Sequence, residues 1–386
     1  MRRFATTGCY WSLFLSIAVG LAGCEQVTPL PEGSPVVQPA AIPAPTSPPA
    51  ADPAVNTIIP KAPAQSQPLA ELEDPRAVIG KFLNTPTSER KDGDLLRVCH
   101  LSSGTDDIKI MDLTSAPVTD AGIKDLAKLQ NIETLNLSST KITGVGFAVT
   151  LDLPQLRSLN LTNTNVTPDV LETLAKLEHL EELSLERTNV GDSALVALEN
   201  LENLRLLNLN YTQISDMGFK SLNKLQGLET LKIANTGVRG QGMQLLKRKK
   251  GEPGLRVLDA NHSQFGMFGL GFLKNVETLE ELDVSQAEVT NPTLQGIKGT
   301  NNLKKLSLGF NQLNDGGLAV LGGLKSLEEV NLRNISMLTN TTLGSLSKCK
   351  ELRLVDVNGS TCSLNGIALL KKILPGCVIR FNGAEH

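Results

Sequence analysis

A spacing of 24 residues recurs along most of this chain and limits its fold more than any other feature. Leu156, Leu159 and Leu161 form a Leu-x-x-Leu-x-Leu pattern that returns at three successive intervals of 24 residues. With looser copies included, the pattern begins eleven times, at residues 108, 132, 156, 180, 204, 228, 255, 279, 303, 327 and 352. Repeats of this length are typical of solenoids, in which each unit packs only against its neighbours.

Each unit divides into two segments with different hydrophobic periods. The leucines of the opening pattern alternate, which predicts a short strand. Leucines then return at helical spacing, as at Leu171 and Leu174, which predicts a helix. Ser215 and Asn314 offer N-cap oxygens at the predicted helix starts, and Pro168 occupies the first helical position, where proline is tolerated. Stacking would place the strands in one parallel sheet and the helices on the other side of a shared apolar core.

The units resemble leucine-rich repeats, in particular ribonuclease-inhibitor-like repeats and the cysteine-containing repeats of F-box substrate receptors. The match covers about residues 108–381, and segments 119–123 and 215–219 carry it best. The ninth position, Asn or Cys in the family, is mostly Thr here, and only Asn311 keeps the common residue. The resemblance implies an α/β fold: a right-handed, horseshoe-shaped solenoid of about 11 repeats, with a parallel sheet on the concave face and helices on the convex face.

The N-terminus predicts export. Arg2 and Arg3 precede a short apolar stretch, 11–20, which ends in Leu-Ala-Gly-Cys. A basic and then apolar segment followed by small residues is typical of a signal peptide, here residues 1–23.

The same four residues resemble the lipobox of bacterial lipoproteins. That resemblance implies that Cys24 is acylated with fatty acids such as palmitate and becomes the first residue of the mature chain. Two acyl chains suffice for stable membrane anchoring. Glu25, where Asp tends to retain lipoproteins in the inner membrane, favours the outer membrane. An ordinary signal peptide with an accidental cysteine is the alternative.

A Pro-rich segment separates this anchor from the repeats. Residues 25–73 contain twelve prolines, and each one fixes φ and lacks an amide donor, so neither a helix nor a central strand persists. We expect residues 24–73 to be a disordered, semi-rigid tether with a reach on the order of 150 Å at about 3.1 Å per residue. A Pro-rich ligand for a partner domain is the alternative.

Both ends of the predicted stack need caps because an open end exposes the core. Residues 74–107 are the predicted N-terminal cap, with a helix over 74–83 and a strand over 95–99. The leucine-rich repeat domain then spans 108–386 and ends in a closing strand over 377–381.

The sequence leaves open whether two of the cysteines that follow Cys24 form a disulfide. Cys349 lies where cysteine-containing repeats place a buried thiol, and Cys362 lies at an inward position, so both are predicted to be small core residues. A Cys349–Cys377 disulfide across the last coil remains the alternative, since exported proteins form disulfides.

No pattern in the sequence points to catalysis, metal binding or nucleic-acid binding. Lys and Arg total 37 and Asp and Glu total 40, so the basic excess of a nucleic-acid binder is missing. The four histidines are not at metal-ligand spacing. The sequence contains no GxSxG, HExxH or phosphate-loop motif. We therefore predict no enzymatic activity, no cofactor and no metal.

The eighth position of units four to nine holds the candidate ligand-binding residues. Stacked coils would align these side chains in a stripe about 24 Å long, at roughly 4.8 Å per coil. The stripe consists of Arg187, Tyr211, Asn235, His262, Gln286 and Phe310. Tyr and Arg are favoured at binding hot spots; chance placement is the alternative. Short polar residues at the fifth position, such as Asp112 and Asn136, are interpreted as solubilising a crowded face.

These observations predict a non-enzymatic, lipid-anchored interaction module that binds a protein or peptide through the concave sheet. It would lie in the bacterial cell envelope, facing the periplasm or the surface. The alternative is a structural envelope component that binds polysaccharide or associates with itself. A role as an F-box-like substrate receptor is implied by the repeat resemblance only, and the lipobox argues against it.

Overall fold

Thirteen short strands in the described part of the chain form one sheet whose order follows the sequence. The computed structural model describes residues 74–101, 103–246 and 253–386; the predicted signal peptide, Cys24 and the tether lie outside them. Strands β1 to β12 pair in parallel and β13 pairs antiparallel with β12. The strands are β1 Ile110–Asp112, β2 Thr134–Asn136, β3 Ser158–Asn160, β4 Glu182–Ser184, β5 Leu206–Asn208, β6 Thr230–Lys232, β7 Val257–Asp259, β8 Glu281–Asp283, β9 Lys305–Ser307, β10 Glu329–Asn331, β11 Leu354–Asp356, β12 Val378–Phe381 and β13 Ala384–Glu385.

The 24-residue period sets the register of this sheet. Leu135, Leu159 and Leu183 are direct partners in β2, β3 and β4, one from each coil. All three are buried, as are the leucines two residues after each of them. Alternation within each strand therefore stacks leucine on leucine behind the sheet, and the predicted parallel sheet over a shared apolar core is confirmed.

Helices return the chain behind the sheet. The α-helices are α1 Pro75–Asn84, α2 Asp92–Cys99, α3 Asp120–Ile123, α4 Gly144–Phe147, α5 Pro168–Leu174, α6 Phe219–Leu222, α7 Asn291–Leu294, α8 Asp315–Leu318, α9 Asn340–Leu346 and α10 Leu364–Ile373. The 3-10 helices are Thr87–Glu89, Lys124–Lys128, Ala148–Asp152, Asp192–Asn200, Asp216–Gly218, Gln241–Leu245, Phe265–Met267, Gly269–Asn275, Gln295–Ile297 and Ala319–Gly323.

Much of this return path is 3-10 helix, where the sequence predicts α-helix. The coil that follows β4 contains only the 3-10 helix Asp192–Asn200. A 3-10 helix rises about 2.0 Å per residue against about 1.5 Å for an α-helix, so it covers the return distance of a 24-residue coil with fewer residues. The predicted starts are confirmed at Ser215, at Asn314 and at Pro168, which lies in the first turn of α5.

The threonines at the ninth position satisfy a carbonyl of their own coil. The hydroxyls of five of them donate to the backbone carbonyl three residues earlier at 2.6 Å; they are Thr140, Thr164, Thr188, Thr212 and Thr236. Asn311 also donates to Leu308 O and, in addition, reaches the preceding coil, where Val284 O accepts from it and Val289 N donates to it. Threonine thus makes the same hydrogen bond within one coil that the asparagine makes.

Acidic side chains connect successive helix starts. Asp192 accepts from the backbone N and the hydroxyl of Ser215 at 2.7 and 2.5 Å. Asp315 accepts from the same two groups of Thr339 at 3.0 and 2.6 Å. Each carboxylate therefore satisfies a backbone donor of the next coil's helix N-terminus, where negative charge is favoured.

The second position of the eleven units alternates in charge without exception. Neighbouring coils pair these side chains, as in Arg157–Glu181 at 2.5 Å and Lys304–Glu280 at 2.7 Å. Removing one coil from the stack would bring like charges face to face, which destabilises a pairing. We call this set the charge ladder; its members are Lys109, Glu133, Arg157, Glu181, Arg205, Glu229, Arg256, Glu280, Lys304, Glu328 and Arg353.

The N-terminal cap consists of two helices, and the prediction of a strand over 95–99 is wrong. Leu95, Val98 and Cys99 are buried at helical spacing in α2. Asp94 accepts from the backbone N of Lys91 and so fixes the start of α2. The predicted first helix is confirmed as α1.

A buried arginine ties this cap to the sheet. Arg90 donates to the carbonyls of Thr85 and Leu83 at 3.0 and 2.9 Å and to the carbonyl of Asp112 in β1. Its guanidinium lies 4.9 Å from the centre of the Phe82 ring. Three carbonyls and a ring face thus share one side chain that is only 6% exposed.

The four cysteines of the described residues are free, buried thiols. Cys349 donates to Leu321 O at 3.1 Å, and no disulfide joins it to Cys377. Burial raises the pKa of the Cys99 thiol to about 12, so this thiol stays protonated and unreactive near neutral pH.

The predicted closing strand is confirmed as β12.

We predict that Arg90→Ala lowers the free energy of unfolding by about 2–3 kcal/mol, because it leaves three backbone carbonyls without their donor and removes a buried side chain from the cap. Urea denaturation followed by circular dichroism measures the change. Arg76→Ala, at an exposed position of α1, is the matched control and should stay within about 0.5 kcal/mol of wild type. Equal effects of the two substitutions would contradict the role of Arg90.

We predict that Glu280→Gln destabilises the fold at pH 7 and not at pH 3. The hydrogen bond from Lys304, with further help from Arg256, lowers the pKa of Glu280. Its contribution is therefore complete above the unfolded-state pKa of about 4.3 and is lost as the pH falls through the lower folded-state value. The loss at pH 7 should be at most about 1 kcal/mol, since the pair is partly exposed.

Urea titrations at the two pH values measure this difference. Glu351→Gln, an exposed glutamate outside the charge ladder, serves as the control. A loss of stability for Glu280→Gln that is the same at both pH values would sink the electrostatic explanation.

Candidate functional site

The eighth position of every unit adopts the left-handed backbone conformation. In ten units the residue is not glycine, and φ lies between 50° and 60°; the eleventh is Gly359 with φ 75°. The backbone N of each of these ten non-glycine residues donates to the seventh-position carbonyl of the next coil, as Tyr211 does to Ala234 at 2.8 Å and Phe310 to Arg333 at 2.9 Å. The turn therefore continues the inter-coil hydrogen bonding beyond the short strands.

The fifth position prepares this turn. In eight of the eleven units the residue is Asp or Asn, and its Oδ1 accepts from the backbone N two residues later at 2.9–3.2 Å. This Asx turn ends the strand and satisfies a donor that the sheet leaves unpaired. The Asp and Asn residues at the fifth position thus have a structural function, whereas the sequence suggested only a solubilising one.

The stripe lies in these turns, three residues beyond the strand ends, and not on the sheet face where the sequence placed it. Successive coils still bring its six members side by side, next to the carboxyl-terminal ends of the strands. Tyr211 is 45% exposed and Phe310 is 55% exposed. The stripe is thus a row of side chains on successive turns, and backbone hydrogen bonds link each turn to the turns of the neighbouring coils.

The N-terminal end of the stripe is a stacked pair. The Arg187 guanidinium lies 4.3 Å from the centre of the Tyr211 ring, within the range of a cation–π contact. Arg187 Nε is also 3.5 Å from Glu186 Oε1. Further along, His262 Nδ1 lies 2.8 Å from Asn261 Oδ1, which holds the imidazole in one orientation.

The C-terminal end of the stripe borders an open depression of about 640 Å³. Phe310 and Gln286 line it together with Met267 and Phe268, which the sequence analysis missed. These two residues follow Phe265 in a glycine-rich segment that forms two successive 3-10 helices, Phe265–Met267 and Gly269–Asn275. The extra apolar residues in this unit are the sequence signal that could have revealed them.

A second depression, of about 500 Å³, lies on the sheet face across β6 to β12. Asp259 and Asp283 stand there as direct partners in β7 and β8. Burial, and after it the charge of Asp283, raises the pKa of Asp259. Adjacent carboxylates of this kind favour a cation nearby.

Within the described ranges, no group of three or more His, Cys, Asp or Glu side chains is arranged to hold a metal ion. A search of the same residues finds no helix with the length and hydrophobicity that crossing a membrane requires.

Comparisons with known proteins agree with this architecture. A family model described as leucine-rich repeat region matches residues 120–363. The crystal structure of an internalin (inlF) from Listeria monocytogenes is similar with a TM-score of 0.53 at 18% identity, over 81% of this chain and 95% of that one. A TDR receptor structure is similar with a TM-score of 0.51 at 16% identity, over 77% of this chain and 51% of that one. No curated protein matches. At these identities the structural likeness shows the fold.

Proposed function

Because this chain belongs to the leucine-rich repeat proteins, we propose that it is a non-enzymatic interaction module that binds a protein or peptide along the stripe and the adjoining sheet face. A broad surface of stacked coils suits reversible recognition of another macromolecule. Binding here involves no bond chemistry, only contact with side chains that successive coils present side by side.

The choice of residues in a strained turn carries this proposal. The left-handed conformation costs an ordinary residue about 1–2 kcal/mol, whereas Gly and Asn adopt it readily. Outside the stripe the eighth position holds only Ser, Asn or Gly. Within the stripe, Arg187, Tyr211, His262, Gln286 and Phe310 occupy it instead. Large side chains in a conformation that disfavours them point to a role for the side chains themselves.

The exposure of the two aromatic residues supports the same conclusion. Tyr211 and Phe310 contribute nothing to the core, since each is about half exposed. Phe310 also lines an open depression, and exposed aromatic side chains are typical anchors of protein interfaces. Two exposed aromatic residues thus occur on the same row of turns.

We further propose that the module is tethered to the bacterial envelope, with the outer membrane favoured. The support is in the sequence: the lipobox-like Leu-Ala-Gly-Cys ending at Cys24 and the Pro-rich residues 25–73. A diacylated cysteine holds the chain at a bilayer surface. The tether would present the repeats at a distance from that surface.

We predict that the double substitution Tyr211→Asn and Phe310→Asn abolishes partner capture without destabilising the fold. Asparagine already occupies the same turn at Asn163, Asn235 and Asn334, so the free energy of unfolding should stay within about 1 kcal/mol of wild type. Affinity capture from native envelope extract, followed by mass spectrometry, compares the two chains. Ser139→Asn, in an equivalent turn outside the stripe, is the control. Unchanged capture by the double variant would refute the role of the stripe.

We predict that Cys24→Ser releases the chain from the membrane fraction, because the thiol that carries the acyl chains is gone. Ultracentrifugation of cell lysates with immunodetection measures the partition. Glu25→Gln keeps the cysteine and should remain in the pellet. If Cys24→Ser still sediments with the membranes, the lipid-anchor proposal fails.

A further inference from the structure

Two depressions meet on the same coils at the C-terminal half of the stripe. The turn-side depression of about 640 Å³ lies against Met267, Phe268 and Phe310. The sheet-side depression of about 500 Å³ includes Asp259 and Asp283. Asp283 begins the Asx turn that leads, three residues later, to Gln286 on the wall of the other depression. The two depressions therefore form adjacent parts of one surface.

The turn-side depression is apolar and accessible. Met267, Phe268 and Phe310 are 38%, 42% and 55% exposed. Isolated exposed apolar side chains are ordinary on protein surfaces, but several around one concavity mark a contact site. Phe310 also holds the left-handed conformation at φ 60°. This depression fits an apolar or aromatic side chain of a partner.

The charges around the two depressions are mostly negative. Six acidic and three basic side chains line them. Two of the three basic ones are already paired, Lys305 with Glu281 at 3.2 Å and Arg380 with Glu385 at 2.8 Å. Asp259 and Asp283 are adjacent carboxylates on neighbouring strands, and Glu288 adds a further carboxylate on the apolar side. A partner with positive charge complements this surface.

We infer that this surface binds a basic peptide segment that carries an apolar anchor residue. The anchor enters the depression between Phe268 and Phe310, and a Lys or Arg of the same segment lies over Asp259 and Asp283. The inference rests on the proposed function and specifies the chemistry of its partner.

Screening a random nonapeptide library displayed on phage against the purified full chain tests this inference. We expect the recovered peptides to be enriched in Lys or Arg together with Phe, Leu, Ile or Met. The best recovered peptide, synthesised with a fluorescein label, is then titrated by fluorescence anisotropy at low and high salt. Binding should weaken with salt, because exposed charges are screened.

Two variants that keep the turns locate the site. Asp259→Asn with Asp283→Asn keeps the Asx turns, since Asn fills the same position at Asn136 and Asn331. Phe310→Asn keeps its turn, since Asn fills the eighth position at Asn163, Asn235 and Asn334. Each should weaken binding of the labelled peptide by at least about tenfold, a loss of about 1.4 kcal/mol. Asp112→Asn, the same change in the first coil, is the matched control and should bind like wild type.

Several outcomes would overturn the inference. Enrichment in acidic peptides, or no enrichment at all, would show that the partner has a different chemistry. Full binding by the Asp259→Asn, Asp283→Asn variant would place the cation elsewhere. Concentration-dependent self-association that Phe310→Asn abolishes would identify a second copy as the occupant. If any of these occurs while envelope capture still depends on Tyr211 and Phe310, the proposed function stands and only the chemistry inferred here is wrong.

Discussion

Backbone hydrogen bonding between coils that repeat about every 4.8 Å is the constraint on which the rest of this structure depends. The backbone amides and carbonyls of every coil must lie level with the matching groups of the next coil, both in the strand and in the turn after it. A buried polar side chain must therefore hydrogen-bond to this backbone, as Asn311 does. The inward leucines, the ninth-position hydroxyls and the Asx residues each satisfy one part of this single requirement.

The sequence predicts the parallel sheet, its register and its buried positions because the hydrophobic period and the strand period coincide in every unit. It fails where a local pattern has two solutions. The apolar residues Leu95, Val98 and Cys99 fit a strand by composition, but Asp94 sets a helix start that decides between the two. The left-handed conformation of the eighth position could also have been predicted, since Ser, Asn and Gly fill this position outside the stripe. Backbone conformation at a turn is recognisable only when that preference is compared across all units.

The charge ladder shows what alignment of the units reveals and single motifs do not. Each pair is an exposed or partly exposed ion pair, such as Arg205–Glu229 at 3.3 Å, and contributes little by itself. Strict alternation over eleven units instead destabilises alternative stackings of the coils. Coils with nearly identical cores could exchange neighbours, and omission of one coil would place Glu against Glu or Arg against Arg. The ladder therefore disfavours slips of one coil among stackings that bury similar apolar surface.

The proposed recognition and the stability of the fold are separable in this architecture because they use different positions of the same unit. Core packing is decided by the leucines that face inward, while the eighth-position side chain leaves the coil at a turn whose backbone is hydrogen-bonded to the neighbouring coil. A large residue there costs conformational energy in its own coil and leaves the neighbouring cores unchanged. Stable coils above and below, each with its own hydrogen-bonded turn, can support that local strain. The row of Arg, Tyr, His, Gln and Phe in adjacent coils is thus a surface that can vary in chemistry while the fold beneath it stays the same.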